Sequence, residues 1–253
     1  MNPQAHIGSD IGIHRDGFCH WRNSSSGASR RHRFPKGDMM KIRLILSFLA
    51  LMALSLSGAV FAEQKFEEDL HYFSIIPAQP GGEGERVQIT EFFLYTCPHC
   101  FNLEPHIEAW LKRKPENVDF DRVPGMFNRE STRIQGTMFY ALRLMGVAEQ
   151  LHQKIFSAIH EEGESLDNQQ QIEEFLAKNG VDLDAYRKAM KSFAVQTQAR
   201  RASILAESYD VRSVPSIIVD GKYRASGLSG DATMRLTDFL IDKVKVERGA
   251  VTK

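Results

Sequence analysis

The chain has 253 residues, 32 basic and 32 acidic side chains, 42% hydrophobic residues and three cysteines. Eight of the basic and three of the acidic residues precede Glu63, so residues 63–253 are net acidic by about five charges, with no basic patch for nucleic acid. That length suffices for a full core, and three cysteines are too few for a disulfide-stapled framework.

Residues 1–38 are rich in Arg, His, Ser and Gly and lack a periodic apolar pattern. We read them as a non-native extension from a reading frame begun too early, with translation starting at Met39 or Met40; Cys19 receives no role. Met40-Lys41-Ile42-Arg43, the apolar stretch Leu44 to Leu56 and the small-residue end Ser57 to Ala62 read as a signal peptide over 39–62, cleaved after Ala62. The uncharged run from Leu44 to Ala62 is also just long enough to span a bilayer. The small residues and the immediately following Glu63 favour cleavage.

Downstream, His71 to Ile76 reads as a short strand, closed by Pro77, and Ala78 to Glu85 as a Gly- and Pro-rich loop. Val87 to Tyr95 is an apolar run with the look of a buried strand. A helical pattern follows over Phe101 to Lys114, with Pro105 inside it predicting a kink or a one-turn offset. Asn117 to Val123 alternates apolar and polar residues and predicts a strand parallel to the preceding one, because a helix joins the two. The middle is helical throughout. Ile134, Met138, Ala141, Leu142 and Met145 recur at helical spacing up to Gly146, and Leu151, Ile155 and Ile159 do so before Gly163. Ile172, Phe175 and Leu176 follow an Asp167 cap and stop at Asn179-Gly180. Ala185 to Phe193 and Val195 to Tyr209 complete the set, and the Met and Phe residues of this region read as core. Val214 to Val219, the turn signal Asp220-Gly221 and Lys222 to Ala225 predict a β-hairpin, and Asp231 to Val246 a terminal amphipathic helix.

Cys97-Pro98-His99-Cys100 is the motif that carries chemistry. It lies between a predicted strand and a predicted helix, which puts the first sulfur at the helix N-terminus. There, unpaired N–H groups and the positive dipole end favour a thiolate. The rival reading is half a zinc site, but a structural zinc site wants four ligands. No second Cys-x-x-Cys or His-x-His is present, and His71, His106, His152 and His160 are scattered. Redox chemistry is the stronger reading. Cys97 reads as the exposed nucleophile and Cys100, a turn deeper, as the resolving thiol. Pro98 fits the first helical turn, and His99 can favour the thiolate by charge or hydrogen bond. Glu91 sits among apolar residues, where an unpaired carboxylate is costly. It is either exposed at a sheet edge or a candidate proton relay, with Arg122 on the next strand a candidate partner.

Glu91-Phe92-Phe93 before Cys97-Pro98-His99-Cys100, a helical insertion, and Val214-Pro215 before the Asp220-Gly221 hairpin together resemble the DsbA family of thiol:disulfide oxidases. The resemblance runs from about Phe66 to Val246. It implies an α/β architecture, a thioredoxin fold with an inserted all-helical domain. The corresponding division is 63–127 and 201–253 for the two thioredoxin-like parts and 128–200 for the insertion. It implies a cis bond at Val214-Pro215, beside the redox pair, offering backbone groups to an extended substrate. It further implies a periplasmic monomer without a bound cofactor or metal, which oxidises unfolded exported proteins and is itself reoxidised by a quinone-linked membrane oxidase of the DsbB type. Pro-His between the cysteines is similar to the oxidases, unlike the Gly-Pro of thioredoxin-like reductants. One departure is Thr96, where family members often carry an aromatic residue, which bears on surface shape and partner preference. A fall of the Cys97 pKa from ~8.5 to ~4.5 stabilises the reduced form by roughly 5 kcal/mol. That makes the couple about 110 to 120 mV more oxidising; shifts of this size are known for DsbA itself, and the sequence supplies only the sign. A disulfide isomerase or reductase on the same fold, and a non-catalytic metal-binding or chaperone module using both thiolates, are the rivals.

Overall fold

The computed structural model describes residues 65–126, 129–225 and 227–251. The expected extension 1–38 with Cys19 and the expected signal peptide 39–62 lie outside the described residues. In chain order the elements are β1 (Tyr72–Ser74), β2 (Val87–Phe93), α1 (Pro98–Leu111), β3 (Val118–Pro124), α2 (Glu130–Leu144), α3 (Ala148–His160), α4 (Gln169–Lys178), α5 (Leu183–Met190), α6 (Phe193–Ser208), β4 (Ser216–Val219), β5 (Tyr223–Ala225) and α7 (Asp231–Val251).

The strands form one sheet in the order β1-β5-β4-β2-β3. β2 lies parallel to β3, in a register that sets Glu91 opposite Arg122, and antiparallel to β4. With strands on both sides and helices on both faces, β2 is buried along its length apart from Gln88. That is why it reads in sequence as a continuous apolar run rather than an alternation. One face packs on α1 and α7 through Ile89, Leu103, Ile107, Trp110, Leu236 and Leu240. The other packs on the helical insertion through Phe92, Phe93, Tyr95, Met138, Phe139 and Phe156. This is the thioredoxin arrangement with helices inserted between β3 and β4 that the resemblance implies. The β4–β5 turn has φ of 56° at Asp220 and 63° at Gly221, the left-handed pair that a two-residue hairpin needs. A Cβ on Gly221 would lie 2.4 Å from the Gln79 carbonyl oxygen, so close approach as well as φ requires glycine there.

Several boundaries differ from expectation. β1 keeps only three residues; Ile75 still donates to Lys222 O, but Pro77 has no N–H with which to extend the ladder. α1 starts at Pro98 instead of Phe101, because Cys97 takes the extended N-cap conformation and proline suits the first helical position. α4 is capped by Asn168 rather than Asp167. The Asn168 side chain accepts from Gln171 N, while Gln171 Oε1 accepts the Asp167 N–H, a reciprocal arrangement of the capping-box kind. α6 begins at Phe193 under a Ser192 cap. Phe193 is 82% exposed, so the core reading fails for this phenylalanine, whose place in the first turn points it outward. α7 continues past Val246 to Val251. Arg248 in that added stretch donates to Asp220 and to the carbonyls of Gly82, Gly84 and Arg86, which ties the helix end to the sheet.

Candidate active site

Cys97 leaves β2 through a short loop and caps α1, with its own N–H donated to Leu94 O. Both cysteines are free thiols, Cys97 half-buried and Cys100 buried one turn into the helix. The Cys97 thiol is lowered to about 6. The hydrogen bond from the Cys100 thiol is the main cause; burial opposes it, and the backbone N–H groups of Cys100 and His99 and the His99 charge add to it. This is a shallower fall than to the ~4.5 used above, because half-burial of the sulfur works against its donors. Cys100 moves the opposite way. Donating to Cys97, burial and the nearby Cys97 charge all push it far up, and the Glu91 charge adds to them. The two thiols are thereby split: one ionises near neutrality while the other keeps its proton. His99 is exposed at the helix start, and its charge contributes less to the Cys97 shift than the Cys100 thiol and the backbone N–H groups do.

Across from the pair, the chain enters β4 through a cis Val214–Pro215 bond. Cys97 Sγ lies 3.6 Å from the Val214 carbonyl oxygen. Val214, Pro215 and His99 line an open groove of about 640 Å³, whose other lining includes Leu103, His106 and Leu228. A smaller recess on the other side of Val214 is lined by Thr96, Arg129 and Arg212. The structure thus brings Cys97, Cys100, His99, Val214 and Pro215 together around one sulfur. The part of the lining from Gly227 to Gly230 was not legible in the sequence, since it follows β5 and carries no motif.

Beneath the pair lies a buried charge cluster. Glu91 is fully buried in an interior strand, so the edge reading fails: β3 and β4 flank it on either side. Its expected partner is there, with Arg122 Nε 3.4 Å from Glu91 Oε2. Arg122 also donates to Glu104 Oε2 at 3.0 Å, Glu108 Oε1 at 2.9 Å and Glu149 Oε2 at 2.9 Å. The favoured bonds therefore go elsewhere, and neither Glu91 oxygen has a hydrogen bond among the described residues. Burial and the neighbouring Glu104 charge drive the Glu91 carboxyl well up, against the pull of Arg122. Burial pushes Glu104 up too, but the His152 hydrogen bond and charge and the Arg122 guanidinium outweigh it and leave Glu104 below its ordinary value.

The cluster extends into the insertion. His152 Nε2 lies 3.1 Å from Glu104 Oε1, and its Nδ1 3.0 Å from the Tyr95 hydroxyl. His160 Nε2 donates to the Tyr95 carbonyl at 2.8 Å. Two histidines that look scattered in sequence thus meet on one residue beside the motif. Their placement two turns apart on a single helix was the available signal. Among the described residues no cluster of His, Cys, Asp and Glu is placed to hold a metal ion.

A thioredoxin-type sheet whose first long helix begins with a cysteine pair of split acidity, facing a cis-proline loop, defines a protein thiol:disulfide oxidoreductase. Residues 88–238 match the family model described as a DSBA-like thioredoxin domain. The thiol:disulfide interchange protein DsbA of Azotobacter vinelandii is 36% identical over 79% of this chain and 94% of its own. That of Pseudomonas aeruginosa is 35% identical over 83% and 99%. The crystal structure of Pseudomonas aeruginosa DsbA superposes with a TM-score of 0.68 at 34% identity, covering 74% of this chain and 97% of that one. DsbA of Xylella fastidiosa gives 0.65 at 28%, over 70% and 96%. The chain belongs to the DsbA family and is a thiol:disulfide oxidoreductase of the disulfide-forming type.

Proposed function

We propose that this protein donates its Cys97–Cys100 disulfide to unfolded exported proteins through a mixed disulfide on Cys97. The observation that carries the reading is the opposite displacement of the two thiols, Cys97 down to about 6 and Cys100 up. A substrate thiolate attacks Cys97 Sγ; the intramolecular S–S bond breaks, and Cys100 leaves and takes up a proton. A second substrate thiolate then attacks its partner sulfur in the mixed disulfide, and Cys97 leaves as a thiolate. The substrate dithiol is oxidised and the Cys97–Cys100 pair reduced. A stable thiolate is the better leaving group, which favours release of Cys97 in the second step. Pro98 sets the helix start and His99 adds positive charge beside the sulfur.

Val214 and Pro215 supply the wall along which a substrate chain lies, and Val214 O lies 3.6 Å from the sulfur. Glu91 is the proposed relay for the Cys100 proton, because its charge is felt at that thiol and burial makes its carboxyl hold a proton more readily than an ordinary carboxylate. The redox-active disulfide serves in place of a bound cofactor. Reoxidation falls to a quinone-linked membrane oxidase of the DsbB type, and the site of action is the periplasm, reached by the 39–62 signal peptide. The protein acts as a monomer without nucleic-acid partners. Residues 63–127 and 201–253 form the thioredoxin-like part and 128–200 the insertion, with the second boundary falling inside α6.

The test is the redox equilibrium of the purified protein against glutathione. A potential near or above about −180 mV supports donation, whereas one near about −270 mV, as in thioredoxin, would mean a reductant on the same fold. Cys100→Ser should accumulate mixed disulfides with substrate. Loss of metal affinity without any trapped species would instead favour the metal-binding rival.

A further inference from the structure

Tyr95 is the point at which the helical insertion touches the redox loop. It is buried, two residues before Cys97, in the segment between β2 and α1. α3 holds it at both ends, with His152 at its hydroxyl, 3.0 Å, and His160 at its carbonyl, 2.8 Å. A carbonyl oxygen can only accept, so His160 carries its proton on Nε2. The His160 ring also stacks on Phe101, with centroids 4.8 Å apart and planes 14° from parallel. Phe101 directly follows Cys100. One side chain of the insertion therefore contacts the chain on both flanks of Cys97–Cys100.

The geometric consequence follows from the planar peptide. Fixing the Tyr95 carbonyl also fixes the Thr96 N–H in the same plane. Only the two Thr96 dihedrals then separate this anchor from the sulfur-bearing Cα. The Cys97 N–H bond to Leu94 O closes the loop from the other side. The sulfur is thereby held over the N–H groups of His99 and Cys100, whose donation depends steeply on angle.

We propose that His160 is a positioning residue for disulfide exchange, through which the helical insertion holds the loop that carries Cys97. The inference rests on Cys97 being the exchanging sulfur. In this role His160 touches neither substrate nor sulfur; it acts through Tyr95 and Phe101.

The test uses the full chain with His160→Phe, which keeps a stacking ring and removes the donor, and His160→Gln, which keeps an N–H donor. Three quantities are read: the titration of the Cys97 thiolate by its ultraviolet absorbance, the rate of oxidation of a dithiol peptide, and thermal unfolding. In His160→Phe the titration midpoint should rise by about half a unit, which is about threefold less thiolate at pH well below the midpoint. Peptide oxidation should slow with it. His160→Gln should restore both. A Phe variant that titrates and reacts like the wild type while melting earlier would overturn the proposal, since His160 would then only pack. A folded Gln variant as impaired as the Phe variant would overturn it as well. Should His160→Phe not fold, His160→Ala carries the same comparison. If the wild type fails to oxidise the peptide, the oxidase reading falls, while the titration still decides the role of His160.

Discussion

Removing the Cys100 thiol is the sharpest test of how Cys97 is made acidic. The bond from Cys100 is the largest cause of the Cys97 shift, ahead of the helix N–H groups. A hydrogen bond to a charged group contributes about 1.5–3 kcal/mol. Cys97 is half-exposed, so water screens part of this, and about 1.4 kcal/mol remains, or about one pKa unit. Cys100→Ala should therefore move the midpoint from about 6 to about 7. At pH 6 the thiolate would drop from about half of the molecules to roughly a tenth. Absorbance titration is the right assay, because alkylation rates mix thiolate fraction with a nucleophilicity that rises about threefold per pKa unit. Cys100→Ser, whose hydroxyl still donates, should titrate close to the wild type. A Cys100→Ala midpoint that stays near 6 would refute the reasoning and transfer the effect to the N–H groups of the helix terminus.

Three further outcomes are expected. Because the folded Cys97 pKa lies below its unfolded value, its contribution stabilises the reduced protein fully above about 9 and is lost as pH falls through about 6. The disulfide form has no such group, so calorimetry should find the melting-temperature difference moving in favour of the reduced form between those limits; a flat difference would contradict this. Arg122→Met leaves two buried carboxylates, Glu91 and Glu104, without their cation, and should cost about 3–5 kcal/mol in urea unfolding; a loss under about 1 kcal/mol would mean the cluster is not held by Arg122. Glu91 is raised in the fold, so the stability of its protonated form is present at low pH and lost as pH rises through its folded pKa. Glu91→Gln should flatten that decline, and should also remove one limb from the pH profile of peptide oxidation; an unchanged profile would end the relay role.

Much of this protein is legible locally. The β2 run, the cysteine pair at a strand-to-helix junction, the Asp220-Gly221 turn and the amphipathic helices each depend on residues within a few positions of one another. Local backbone preference and hydrophobic period are therefore enough to read them. Boundaries slipped where one residue could serve two ways, as when Cys97 capped α1 three residues earlier than the apolar pattern begins. The relation of Glu91 to Arg122 was reachable only as one candidate among others. The parallel register that sets them opposite is a property of two strands packed through a helix.

The sequence by itself determined the sheet-forming and helix-forming segments, the redox motif and the sign of its chemistry, because a thiol at a helix N-terminus is acidified by groups within three residues of it, the second thiol first and the backbone N–H groups after it. Only the tertiary structure decided which charges surround Arg122, that His152 and His160 close on Tyr95, and that Val214 faces Cys97. Those contacts join residues from 14 to 117 positions apart. No local preference encodes them; they arise when the insertion and the sheet bury their apolar faces against each other and carry the polar side chains into register.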